Sequence, residues 1–271
     1  MKSNFVTTSV SFESVKIIDD VGTQQAVASS CTQDSLTLAP GVVIDLITIP
    51  KGSFQMGAPD QLTGPDAAEV RTVSIDSFKL GKYPVSQALY RHVMGTNPSF
   101  FHGDHLPVEN VNWFDAKAFC EKLTAFTGLN FRLASESEWE YSARGGTTSR
   151  FYCGNIITSE LGNYMAEVGW EDGPTGLWRQ STTALGTFAP NLFGLYDMQG
   201  NVFDWCEDIY GSYSNAPSDG KPNLTANGPI ERLLRGGSWY HTPIACTTTC
   251  RLKINPSYRG PDISFRIALS N

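Results

Sequence analysis

Residues 235–269 read RGGSWYHTPIACTTTCRLKINPSYRGPDISFRIAL. The two ends have the character of scaffold. Arg235-Gly236-Gly237-Ser238-Trp239 is a turn whose paired glycines permit positive φ, and Ile263-Ser264-Phe265-Arg266-Ile267-Ala268-Leu269 is an apolar strand. Trp239 and Phe265 can each bury a large apolar area and hold the two ends. The stretch between them has neither a helical nor a strand period. It mixes Tyr and His, which make large contacts at low entropic cost, with short polar residues that adapt their hydrogen bonds, which is the chemistry of antibody-like paratopes. The reading is a rigid frame around an arbitrary filling.

The rest of the chain can supply a core for such a frame. Of 271 residues, 41% are hydrophobic and only 17% charged, enough for one large domain or two small ones. The net charge of −7 argues against a nucleic-acid partner, which needs a basic face to displace phosphate counterions. The N-terminus lacks the apolar segment of a signal peptide. No apolar run is long enough to span a membrane. Cys31, Cys120, Cys153, Cys206, Cys246 and Cys250 form no CxxC pair, so they read as reduced thiols in a cytoplasmic protein.

Residues 1–40 alternate weakly and form either a strand-forming N-terminal arm or a loose lead-in, ahead of a domain over 41–271. VVIDLITI, KGSFQMG and VRTVSIDSFKLG read as strands. Three helices follow. Ser86 caps SQALYRHVM. NWFDAKAFCEKLTAFTG places Phe114, Ala118 and Leu123 on one face and stops at Gly128. Ser135 and Glu138 form a capping box ahead of a helix that ends at Gly145-Gly146. Beyond Gly146 regular structure thins into loop, so the fold class is α+β with few short helices and short strands.

KYPVS, PVENVNWFDAKAFC, FRLASESEWEYSARGG, NLFGLYDMQGNVFDW, RLLRGGSW and ISFRIAL occur in this order. Together they resemble the formylglycine-generating-enzyme type of sulfatase-modifying factor domain, a variant of the C-type lectin fold, from about Val42 to Leu269. Oxidase members of that family hold Cu(I) on two thiols, which suit a soft ion. Here His241 stands at the first matching position and Cys246 at the second, and Cys250 lies beyond it. The resemblance therefore implies no copper and no oxidase activity, although an oxidase or related sulfatase-modifying enzyme is the alternative reading. The iron-dependent sulfoxide synthases of the same family need a histidine triad on a separate domain, and this chain has only His92, His102, His105 and His241.

The closing stretch, about 235–269, also resembles the variable region of diversity-generating retroelement proteins. In those proteins an error-prone reverse transcriptase rewrites template adenines, so that AAC codons become codons for many residue types. The frame matches at Arg235 to Trp239, Pro243, Cys246, Arg251, Pro256, Ile263, Phe265 and Arg266 and departs at Ser264, where Gly is usual. Tyr, His, Thr, Leu, Ile, Gly, Pro and Asp are reachable from AAC through adenines alone; Lys253 is not. The resemblance implies a ligand-binding display module for a protein or peptide. Its hypervariable contact positions are Tyr240, His241, Thr242, Ile244, Ala245, Cys250, Leu252, Lys253, Ile254, Asn255, Ser257, Tyr258, Gly260, Pro261 and Asp262. An ordinary drifted loop of an enzyme homologue is the plainer alternative.

GLYDMQGNVFDW has a spacing that suits calcium: the carboxylates of Asp197 and Asp204 bracket the carbonyls of Gly200 and Val202. The resemblance implies calcium at these four positions and none at the family's other site, where Leu177 replaces a carboxylate. Without calcium, Asp204 caps a turn or pairs with Arg144 or Arg235. Glu136, Glu138 and Glu140 read as capping and surface residues. Asp204 with Glu207 resembles an acid–base pair without a nucleophile.

Overall fold

The computed structural model describes residues 5–58, 70–169, 173–225 and 230–270. In chain order the strands are β1 (Val6–Ile17), β2 (Gln24–Ala39), β3 (Val42–Ile49), β4 (Gly52–Met56), β5 (Arg71–Ile75) and β6 (Phe78–Gly81). Helices α1 (Gln87–Met94) and α2 (Trp113–Thr127) follow, then β7 (Phe131–Leu133) and α3 (Glu136–Arg144). The chain closes with β8 (Phe203–Ile209), β9 (Arg232–Arg235), β10 (Leu252–Ile254), β11 (Ile263–Ser264) and β12 (Ile267–Ser270). This is the α+β arrangement that the sequence suggests.

A six-stranded antiparallel sheet runs β1-β2-β3-β6-β12-β7, so the last strand of the chain sits between β6 and β7 rather than at an edge. A second sheet runs β10-β9-β8-β11, with β11 parallel to β8. β9 leads into the C-terminal stretch at Arg235, and β10, β11 and β12 lie within it up to Leu269, so its frame is woven into both sheets. Strands β1 and β2 form a long hairpin over Val6–Ala39, and β2 continues the pairing onto β3 from Gln33 opposite Ile47 to Ala39 opposite Val42.

The helix termini follow their sequence signals. Ser86 Oγ accepts the Leu89 N–H, and Ser135 and Glu138 form the reciprocal capping box. At α2 the cap is Asn112 with Asp115, and Gly128 ends the helix in the left-handed region at φ 74°. The buried face of α2 corrects the sequence reading. It is Trp113, Ala116, Phe119, Cys120 and Leu123, while Phe114 stands 53% exposed. Apolar residues surround this helix, so periodicity alone points to two rival faces. Phe119 joins Phe265, Tyr90, Leu133 and Trp205 in the core that supports the C-terminal stretch. All six cysteines are unpaired, and no described helix is long and apolar enough to cross a membrane.

Candidate ligand-binding surface

The frame of the C-terminal stretch is held by three buried guanidiniums, each on a carboxylate from an earlier element. Arg235 donates to Glu140 and to the carbonyls of Thr248 and Cys250. Arg251 donates to both oxygens of Glu136, at 2.6 and 2.9 Å, and to the Gly211 carbonyl. Arg266 Nε meets Asp204 Oδ2 at 2.8 Å, and its other nitrogens hold the carbonyls of Gly81, Tyr196 and Asp197. Glu136, Glu138 and Glu140 are therefore buried rather than surface residues, Glu138 pairing with Arg132. Removing one partner of such a buried pair costs about 3–5 kcal/mol, because the other charge is stranded.

Gly237 sets the turn. It has φ 74°, and a Cβ there would run into Cys246 Sγ, so the glycine is required both by conformation and by close approach. Trp239 is 8% exposed, with its indole N–H on the Pro261 carbonyl at 3.1 Å. Phe265 is fully buried, edge-on to Phe119 at 5.2 Å.

Between these anchors the chain turns outward. Tyr240, Ile244 and Tyr258 are 55%, 41% and 50% exposed, and Lys253, Asn255, Ser257 and Pro261 are exposed as well. His241, Thr242 and Cys250 are half-buried. Ala245, Leu252 and Ile254 are also half-buried and lean on the core. Gly260 and Asp262 face inward. The Asp262 carboxylate accepts the Ser238 hydroxyl at 2.9 Å, and the same hydroxyl lies 2.8 Å from His241 Nδ1. Ser, His and Asp thus meet, but Ser238 and Asp262 both address Nδ1, so the imidazole cannot relay a proton between them as a catalytic triad does. The cluster orients His241.

An aromatic rim continues the surface beyond the C-terminal stretch. Tyr240 packs against Trp239 at 5.3 Å and Trp178 at 6.4 Å. Trp178 donates to the Trp239 carbonyl at 2.8 Å. Phe101 meets Trp239 at 5.5 Å and carries Phe100, which is 69% exposed. Sequence reading missed Trp178, Phe100 and Phe101. The one available signal was a Phe-Phe pair in a Pro-bearing loop with no period to bury it. Glu109 lies beneath this rim, fully buried, with Oε1 on the Phe101 N–H at 2.8 Å and Oε2 without a hydrogen-bond partner among the described residues. Burial raises its carboxyl to about 7.

The loop from Asp197 to Asp204 backs the frame. Gly200 N–H donates to the Gly236 carbonyl, Trp239 N–H to Asn201 and Phe203 N–H to Asp262. Asp204 pairs with an arginine, but with Arg266 rather than Arg144 or Arg235. Its Oδ1, like Asp197 Oδ1, is buried without a hydrogen-bond partner among the described residues. Arg266 and the Trp139 indole N–H both meet Asp204 Oδ2, and among the described residues no three His, Cys, Asp or Glu side chains cluster as a metal site. Asp204 and Glu207 are separately paired, with Arg266 and Lys117, and form no acid–base couple. His102 and His105 are both exposed. Cys246 is completely buried, and burial drives its thiol upward; Cys250 is shifted the same way.

Residues 39–271 match the sulfatase-modifying factor enzyme 1-like domain. The chain belongs to this family. As a member of it, the chain is 31% identical to the formylglycine-generating enzyme of Mus musculus over 195 residues, 68% of this chain but 50% of that enzyme. It is 28% identical to the chaperone protein LppX of Paenibacillus barcinonensis, across 83% of this chain and 89% of the relative. Among solved structures it is similar to Treponema denticola variable protein 1, with 28% identity, TM-score 0.75 and coverage of 88% of this chain and 99% of that one. PvdO from Pseudomonas aeruginosa follows with 29% identity and TM-score 0.71 over 84% of this chain. The fold of this sulfatase-modifying factor domain is the C-type lectin-like one.

Proposed function

We propose that this domain is a binding module that presents its C-terminal surface to a protein or peptide ligand, and that a retroelement diversifies that surface. The observation that carries the reading is the sorting of one continuous stretch by burial. Arg235, Trp239, Cys246 and Phe265 are buried, while Tyr240, Ile244, Lys253 and Tyr258 between them face solvent. Exposed aromatics on a rigid base make hot-spot contacts at low entropic cost. The likeness to a variable protein over 88% of the chain supports the same reading. The neighbouring DNA tests it: a near-copy of the coding sequence for residues 235–269 should differ almost only at adenines. No such copy, or one differing evenly at all bases, sinks the diversification.

The competing reading is a copper oxidase of the same fold, favoured by identity to the mouse enzyme. It lacks the first thiol, His241 standing in its place, and the remaining Cys246 is wholly buried with its thiolate disfavoured. Incubation with Cu(I), oxygen and a Cys-x-Pro-x-Arg peptide should give no mass loss above a protein-free control; turnover would overturn the binding-module reading. In this proposal the Asp197 and Asp204 carboxylates, with the Gly200 and Val202 carbonyls, hold calcium as a brace behind the frame. The free cysteines favour a cytoplasmic setting.

A further inference from the structure

Strand β1 ends the six-stranded sheet: β2 pairs with one side of it and, among the described residues, no strand pairs with the other. The pairing with β2 runs from Val6 opposite Ser35 to Ile17 opposite Gln24 without a register shift, so successive residues of β1 turn their backbone groups alternately toward β2 and outward. The hairpin end sets the phase. Ile18 N–H donates across the hairpin to the Thr23 carbonyl, whereas Ile17 N–H donates away from it, to the Cys153 carbonyl at 2.6 Å. Ile17 therefore points outward, and so do Thr7, Ser9, Ser11, Glu13 and Val15. Cys153 occupies the outer side at Ile17, which leaves an open edge from Thr7 to Val15 with Ser11 at its centre.

Natural sheets blunt such an edge with proline, a bulge or a charge, because it otherwise pairs with another chain. β1 has no proline and no bulge, and Val6–Phe12 carries no charge in a chain whose net charge is −7. A second copy of the same strand fits this edge. Antiparallel pairing about a two-fold axis at Ser11 sets Ser11 opposite Ser11 of the copy, Ser9 opposite Glu13 and Thr7 opposite Val15, so every outward backbone group on the open edge finds a partner. Between these pairs Val10 meets Phe12 of the copy, a β-branched–aromatic pair of the kind that stabilises sheets, on the face where Phe12 already packs against Gly194. The two Glu13 side chains then stand about 13 Å apart along the strands, so like charges do not meet. The other side of the hairpin is the poorer edge. Gln24, Ala26, Ala28, Ser30 and Thr32 turn outward from β2, but β3 takes that side from Gln33 onward, and pairing about Ala28 sets Val27 against Ser29 rather than against an aromatic ring.

We infer that the chain forms a two-fold dimer through β1, joining two six-stranded sheets edge to edge. One strand against another buries less than the roughly 1,200–2,000 Å² of a standard stable interface, so the dimer is weak and depends on concentration. It carries two C-terminal surfaces, which lets a repetitive ligand be held at two points. β1 and β2 as far as Leu38 precede the residues matched to the family domain, and the pairing does not depend on whether the C-terminal surface is diversified.

Sedimentation equilibrium of the full chain, from micromolar to hundreds of micromolar, tests the dimer. Ser11→Pro removes the central outward N–H, which β2 does not use, and proline is tolerated on an edge strand. Ala28→Pro makes the same change on the opposite side of the hairpin and is the control. The expected result is a reversible monomer–dimer equilibrium, weakened on the order of tenfold or more in Ser11→Pro and unchanged in Ala28→Pro. Hydrogen exchange of the wild-type chain, which relies on no variant, should show the Ser9, Ser11 and Glu13 amides exchanging more slowly in concentrated than in dilute protein. A chain that stays monomeric, an assembly larger than a dimer, a dimer indifferent to Ser11→Pro or lost equally in Ala28→Pro, or edge amides equally fast at both concentrations overturns the inference.

Discussion

If frame and filling are separate, a variant stripped of its exposed filling should lose less stability than a variant of the frame. Tyr240→Ser, His241→Asn and Tyr258→Asn together form the first perturbation. Leu252 is left intact, because it packs against the core. Tyr240 and Tyr258 are at least half exposed, and surface changes of this kind cost within about 0.5 kcal/mol each. Tyr240 also gives up its ring contacts with Trp239 and Trp178, worth about 0.5–1.5 kcal/mol per pair at most. With both Tyr240 pairs at the low end of that range, since its ring is more than half exposed, the triple variant loses about 2.5 kcal/mol. Phe265→Ala is the second perturbation. It empties a fully buried site between Phe119 and Tyr90 and costs about 3–5 kcal/mol. At roughly 2–4 °C of Tm per kcal/mol for a domain of this size, the triple variant melts roughly 5–10 °C below wild type at most. Phe265→Ala falls on the order of 10 °C. Circular-dichroism melts and urea titrations read both. A triple variant that unfolds as readily as Phe265→Ala places those side chains in the core and refutes the reasoning.

Three further outcomes are expected. Gly237→Ala, forced into positive φ and against Cys246, should lower Tm by more than Gly41→Ala, where φ is also positive but no atom lies within 4 Å; equal losses would show that the close approach is not limiting. Glu109, raised to about 7, binds its proton more tightly in the folded chain than in the unfolded one, so the stability it contributes is full below the usual carboxylate range and is lost as pH rises through about 7; Glu109→Gln should flatten that fall in Tm between acidic and alkaline buffer, and an unchanged slope counts against the assignment. Calcium added to chelator-stripped protein should raise Tm through mass action, and Asp197→Ala should abolish the rise; a wild-type Tm indifferent to calcium rejects that site.

What the sequence revealed and what it withheld divide along chemical lines. Helix ends were legible because capping is local: Ser135 and Glu138 satisfy each other's backbone within one turn. The outward turn at Tyr240 was legible because a stretch without a period, between anchors that have one, has no face to bury. The burial of Glu136 and Glu140 was not legible. On a helix, carboxylates look like a solvated face until their partners are known, and Arg251 and Arg235 are 115 and 95 residues away. The α2 face was misread because Trp113 and Phe114 are equally apolar, and what decides between them comes from distant residues: the Cys206 carbonyl that receives the Trp113 indole N–H and the Arg232 guanidinium over its ring. Trp178 escaped notice because its role is a hydrogen bond to the Trp239 backbone, which leaves no pattern in sequence.

The placement of the three frame arginines explains how one fold can tolerate many fillings. Their carboxylate partners, Glu140 and Glu136 on α3 and Asp204 on β8, all precede the C-terminal stretch. The pairs therefore clamp the stretch onto elements that lie outside it. β9, β11 and β12 add backbone pairing at both ends, and the turn at Gly200–Val202 adds the bonds to Gly236 and Trp239. Seven of the fifteen variable positions between those clamps, Tyr240, Ile244, Lys253, Asn255, Ser257, Tyr258 and Pro261, face solvent. Exchanging Tyr240, Lys253 or Tyr258 leaves each guanidinium on its carboxylate and each strand in register. Changing Arg235, Arg251 or Arg266 strands a buried charge. Ala245, Leu252 and Ile254 lie between these extremes: they lean on the core, so the side chains accepted there are limited by volume as well as by what the ligand requires.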